Sequence, residues 1–221
     1  MMGEPSQTID RRTGQTHMLK RRTLLLSATA ALAAACLKVP LARAQNLDHA
    51  TTFIEQTMKD IAAVVNGPGS VGEKQVKLQA IIDRTVDVNE VARFCLGRFW
   101  KSATPDQQRD YLALFHRVLM INITGKVGEY QGVTFSVGRA LARDSGGVSV
   151  ASVVTRPGNQ PSKVDWLVST DSGSPKIVDV VAEGTSLRLT QRSDYASYLA
   201  RNNNSVQALI DALRQQATQQ G

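Results

Sequence analysis

The sequence predicts an α+β protein, with an antiparallel curved sheet of four strands or slightly more covered by about six to seven helices. Three observations lead there. Apolar residues recur at spacings of three and four from Leu47 to about Gly125, the period changes to two after Gly132, and the helical period returns near Gln191. Runs of helices on either side of a block of strands, rather than strict alternation, argue against a parallel sheet.

The first predicted helix covers Leu47–Val65, with Phe53, Ile54, Met58, Ile61, Val64 and Val65 on one stripe, and Gly67-Pro68-Gly69 ends it. A second runs from about Gly72 to Thr85 with Val76, Leu78, Ile81 and Ile82 inward. A short third covers Val88–Leu96 up to Gly97. Thr104-Pro105-Asp106-Gln107 combines a Thr cap, Pro at the first helical position and Gln three residues after the cap, so a long helix should follow. Its stripe of Tyr111, Leu114, Phe115, Val118 and Leu119 reaches Gly125 or Gly128.

Thr134–Arg139, Val148–Thr155, Lys163–Thr170 and Lys176–Ala182 alternate or are β-branched, and they read as consecutive antiparallel strands. Asp144-Ser145-Gly146-Gly147, Arg156-Pro157-Gly158-Asn159 and Asp171-Ser172-Gly173-Ser174 supply the turn residues between them, and Glu183-Gly184 forms a further turn. Val164, Trp166 and Val168 should share one face. In the last strand Val178 and Val180 should share a face, opposite Ile177, Asp179 and Val181. Helices at about 191–201 and 205–216 close the chain, and a curved sheet covered by helices in this way can enclose an apolar space.

Composition narrows the function. The 221 residues are 42% hydrophobic and 20% charged, as in ordinary globular domains. The formal net charge of +7 is uneven: seven of the 26 basic residues and two of the 19 acidic ones lie in 1–44, leaving 19 against 17 in 45–221. No concentrated basic stripe survives for a phosphate backbone, so no nucleic-acid partner is expected.

Lys20-Arg21-Arg22, the small apolar run Thr23–Ala35 and Ala42-Arg43-Ala44 have the order of a secretory signal, with cleavage expected between Ala44 and Gln45. That run is shorter than the roughly 20 residues a membrane span needs. The chain thus divides into a leader, 1–44, and one domain, 45–221. The polar stretch before Met18 suggests that translation begins at Met18. Arg21-Arg22 fits a twin-arginine route as well as an ordinary basic region, and Cys36 gives a weaker lipoprotein reading. Cleavage would leave Cys95 alone, inside an apolar stretch where a buried inert thiol is expected.

No catalytic constellation stands out. His49 and His116 sit in no ligand motif, no metal or cofactor is expected, and no nucleophile has an evident base beside it. Asp179, in an apolar strand, should accept hydrogen bonds or meet an arginine, because an unpaired buried carboxylate is costly. Trp100, Phe99, Phe115, Phe135 and Trp166 either fill a core or line a cavity.

Leu96-Gly97-Arg98-Phe99-Trp100-Lys101-Ser102-Ala103-Thr104-Pro105-Asp106-Gln107-Gln108, with Tyr111 and Phe115, resembles the MlaC or toluene-tolerance family of periplasmic phospholipid-binding proteins. Val178-Asp179-Val180-Val181-Ala182-Glu183-Gly184-Thr185-Ser186, Thr190–Tyr195 and the helix Val206–Leu213 resemble its C-terminal signature, so the likeness frames roughly residues 47–216. The resemblance implies a non-enzymatic periplasmic carrier with an apolar lipid pocket between sheet and helices. It would pass glycerophospholipid between an outer-membrane lipoprotein–porin complex and the substrate-binding subunit of an inner-membrane ABC transporter, maintaining outer-membrane lipid asymmetry.

Lipid contacts are expected at Leu96, Trp100, Phe115, Leu119, Phe135, Val150, Trp166, Val168, Val178 and Val180. A monomer is expected, since a carrier must expose its pocket mouth to successive partners. The alternatives are a paralogue carrying a hopanoid, an adaptor that docks the transporter without carrying lipid, and, last, a hydrolase.

Overall fold

The computed structural model describes residues 38–144, 146–170 and 173–219, with side chains from 45 onward. The predicted leader's basic and apolar runs, Met18, Cys36, and Ser145, Asp171 and Ser172 of two predicted turns lie outside the described residues. The chain divides into two units, Met1–Ala44 and Gln45–Gly221, and the architecture below is that of the second.

Helix α1 is Lys38–Asn66. It starts before the predicted Leu47, because Pro40 falls in the first turn, where its missing N–H is harmless, and no breaker follows until Gly67. Ala50, Ile54, Met58 and Val65 are its buried stripe. Helix α2, Val71–Thr85, is capped by Ser70: Ser70 Oγ accepts from the N–H of Glu73 at 3.3 Å, and Glu73 Oε2 accepts from the N–H of Ser70 at 2.7 Å. The Ser70 N–H and the Ser70 hydroxyl, which donates to Glu73 Oε2 at 3.0 Å, hold the Glu73 carboxyl below the usual carboxylate range.

Helix α3 is Val88–Leu96, capped by Asp87, and runs into a 3₁₀ turn over Gly97–Trp100. Helix α4, Pro105–Thr124, has the predicted reciprocal cap between Thr104 and Gln107, at 3.2 and 3.1 Å. A second 3₁₀ turn covers Val127–Tyr130.

Strands β1 (Thr134–Ala142), β2 (Val148–Thr155), β3 (Ser162–Ser169), β4 (Lys176–Ala182) and β5 (Thr185–Ser186) pair antiparallel in sequence order. The two-residue β5 had no sequence signal of its own. It exists because Glu183 and Gly184 take φ of 48° and 80°, the paired left-handed geometry that reverses a strand tightly. Helix α5, Leu187–Arg201, begins four residues before the predicted Gln191 because Ser186 caps it, accepting from the N–H of Leu189 at 3.2 Å. Helix α6 is Val206–Gln219.

Two irregularities set which side chains face inward. In β1 the register slips between Val137 and Ala140, so Val137 opposes Ser152 and Ala140 opposes Val150. In β4 it slips at Val178: Ile177 opposes Val168, and Val180 opposes Trp166. This corrects the predicted pairing of Val178 with Val180 on one face. Ile177 joins Val180, because the bulge inserts Val178 and shifts the alternation by one.

Three cores result. Ala50, Ile54 and Met58 of α1 lie on the sheet face of Val148, Val150, Val168 and Ile177. A second is helical, built by α3 to α6 around Tyr111, Phe115 and Tyr195, whose ring centroids lie 5.9 to 6.4 Å apart. A smaller third joins Val65, Leu78, Ile81, Val127 and Val133. Tyr111 Oη donates to the carbonyl of Ala92 at 2.8 Å, satisfying the one polar atom in its fully buried side chain.

Candidate functional site

A groove of about 470 Å³ opens between α1 and the edge strand β1. Glu55, Met58, Lys59, Ala62 and Asn66 line one wall, at the helical spacing that puts them on one flank of α1. Val133, Thr134, Phe135 and Val137 line the other. Asn66 ties the two walls together at one end: its Nδ2 donates to the Val133 carbonyl at 3.0 Å, and its Oδ1 accepts from the N–H of Gly132 at 2.7 Å. The groove is therefore apolar along Met58, Ala62, Val133, Phe135 and Val137, with charge only at Glu55 and Lys59. Its volume falls in the range of small-molecule sites, and its chemistry suits an apolar guest with a polar end.

Behind the groove the sheet face continues apolar. Phe135, Val137, Ala140, Trp166 and Val180 pack partly buried around Val148, Val150, Val168 and Ile177. One polar chain crosses this face: Trp166 Nε1 donates to Ser152 Oγ at 2.8 Å, and Ser152 Oγ donates to the Val164 carbonyl at 2.9 Å. The buried hydroxyl thus fixes the indole ring.

The ten residues predicted to contact lipid fall into three places. Phe135, Val150, Trp166, Val168 and Val180 come together on the sheet face under α1, and Phe135 also lines the groove. Leu96, Trp100, Phe115 and Leu119 belong to the helical core. Val178 is buried outside all three clusters. Met58, Ala62, Val133 and Val137 line the groove and were not singled out as contacts, although Met58 was placed on the inward stripe of its helix. The signal that could have found them is the apolar flank of α1 taken with the first residues of β1.

The polar residues weighed in the sequence have structural partners. His116 Nε2 lies 2.6 Å from Asp83 Oδ1, a half-exposed pair between α4 and α2. Asp179 is 7% exposed and accepts from the N–H of Val180 (2.8 Å), Ser186 Oγ (2.6 Å) and the N–H of Arg188 (3.2 Å), with Arg188 Nε at 3.5 Å. Cys95 is buried and unpaired, and burial pushes its thiol up to about 12. Among the described residues no three His, Cys, Asp or Glu side chains group to hold a metal ion, and no helix is long and apolar enough to cross a membrane.

Comparison with known proteins agrees in fold. The family model described as MlaC protein matches residues 52–215. Toluene tolerance protein ttg2D of Pseudomonas putida is 25% identical over 135 residues, covering 61% of this chain. The chain spans 63% of that relative's length. Among solved structures, a phospholipid-binding protein from Ralstonia solanacearum, determined in complex with a phospholipid, matches with a TM-score of 0.68. The match has 23% identity over 77% of this chain and 97% of that one, and at this identity it establishes the fold alone.

Proposed function

The chain belongs to the MlaC family, and from that premise we propose that it is a phospholipid carrier, which holds acyl tails in the groove between α1 and β1 and keeps the headgroup at the rim. The observation that carries this reading is the groove itself: an apolar floor continuous with the inner sheet face, with charged side chains only on the rim. Each CH₂ group moved from water into such a floor is worth about 0.8 kcal/mol, so tails alone can retain a lipid without covalent chemistry. The Ralstonia relative with the same fold, determined with a phospholipid, supports the choice of ligand.

Longer tails than the groove accommodates would continue over Phe135, Val150, Trp166, Val168 and Val180 by displacing the Ala50, Ile54 and Met58 stripe of α1 that packs there. Leu96, Trp100, Phe115, Leu119 and Val178 are proposed to act through the packing that positions α3, α4 and β4. The finer reading has the chain exported, cleaved near Ala44/Gln45 and acting in the periplasm as a monomer. There it would move glycerophospholipid between an outer-membrane lipoprotein–porin complex and an inner-membrane ABC transporter, preserving lipid asymmetry without acting as an enzyme.

The test is a native mass spectrum of residues 45–221 purified from a periplasm, followed by organic extraction. A bound phospholipid mass released on denaturation supports the carrier. A protein that stays bare after incubation with vesicles overturns it in favour of an adaptor with a filled core.

A further inference from the structure

The groove's few polar groups are unequally free. The Asn66 amide is committed at both ends, to Val133 and Gly132. Asp60, next to the groove on α1, is committed to Arg84 and to Gln56 Nε2. Glu55 and Lys59 remain. They are exposed, lie one helical turn apart on the groove-lining flank of α1, and form no ion pair with each other or with another described residue. The Thr134 side chain, on the opposite wall, is also exposed.

One carboxylate and one ammonium on a single rim complement a ligand that carries both charges close together. Resting on the carrier reading, we infer that Glu55 and Lys59 select the headgroup, favouring a phosphodiester that bears a primary ammonium. Lys59 meets the phosphate, and Glu55 accepts N–H hydrogen bonds from the ammonium. A glycerol headgroup satisfies Lys59 but brings its phosphate near Glu55 with no cation to offset it. A choline headgroup has no N–H for Glu55, and the groove offers one aromatic ring, Phe135, where quaternary ammonium recognition uses a cage of several. Both charges stand in water, so the selection is modest, about threefold, as for exposed ion pairs.

The experiment incubates the chain from Gln45 with vesicles of equal phosphatidylethanolamine, phosphatidylglycerol and phosphatidylcholine carrying identical acyl chains. The bound lipid is then extracted and quantified. About threefold enrichment of phosphatidylethanolamine is expected, falling at high salt. Glu55→Lys should turn the preference to phosphatidylglycerol, and Glu55→Gln should remove the enrichment. Uptake by the wild type in vesicle proportions, or an unaltered ratio in Glu55→Lys, overturns the inference while leaving the carrier intact. Absence of all lipid in wild type and variants overturns the carrier reading and this inference with it.

Discussion

Asp179 in β4 and Arg188 at the start of α5 form a nearly buried pair, Oδ2 to Nε at 3.5 Å. The guanidinium also lies 4.3 Å from the Phe94 ring centroid, and its Nη1 donates to the Val178 carbonyl at 3.4 Å. The pair therefore fastens the sheet to the helical core. Asp179→Ala would leave the largely buried Arg188 cation facing the half-exposed Glu90 carboxylate, at 4.0 Å, in place of its buried partner, a loss of about 3 kcal/mol. Urea denaturation should show the midpoint fall accordingly, and the double variant Asp179→Leu, Arg188→Met should recover only part of it, because the backbone N–H groups at 180 and 188 and the Ser186 hydroxyl still lack their acceptor.

Phe135→Asp places a carboxylate on the apolar wall of the groove, where a charge without a partner is costly beside acyl tails. Lipid recovered after vesicle incubation should fall at least about tenfold on the proposed reading, while Phe135→Leu retains it. Circular dichroism should match the wild type in both, because Phe135 is only half-buried.

Ser152→Ala removes the hydroxyl that bridges Trp166 Nε1 and the Val164 carbonyl. The unmade bonds should cost about 1 to 2 kcal/mol and shift the tryptophan emission. Lipid binding should survive this change, whereas Trp166→Asp should abolish co-purifying lipid. A folded Trp166→Asp protein with unchanged lipid content would remove Trp166 from the site.

Alkaline stability should fall in a defined window. Burial pushes the Cys95 thiol from 9.0 up to about 12, and pushes the Tyr111 and Tyr195 phenols above the ordinary tyrosine range. Above pH 9 the unfolded chain sheds protons that the native chain retains, so stability is full below 9 and declines as pH rises toward 12. The urea midpoint against pH measures the decline, and Cys95→Ala should lose the thiol's share of it. Thiol reagents at pH 8 should label Cys95 only on unfolding.

Legibility followed the range of the interactions. The Thr104–Gln107 cap, the Gly67-Pro68-Gly69 stop and the Glu183-Gly184 turn are decided within four residues, and each was readable. The bulge at Val178 was not, since a one-residue slip depends on Val168 and Trp166 in the neighbouring strand. The groove has no local signal in the sequence. Its walls join through Asn66 and Val133, 67 residues apart, so Met58 and Ala62 look in sequence like ordinary core positions. Of the ten residues expected to touch lipid, Phe135 alone lines it, because the family-like segments that suggested Leu96, Trp100 and Phe115 build the helical core.

The meander has a consequence for how the chain acquires its structure. Each strand is hydrogen-bonded to the next in sequence, so the sheet can zip hairpin by hairpin across short loops, with little closure entropy at each step. Helix α1, made first, meets partners such as Val150 and Val168 that come about a hundred residues later. It should dock last, and the groove along its flank would then be the final part of the molecule to form.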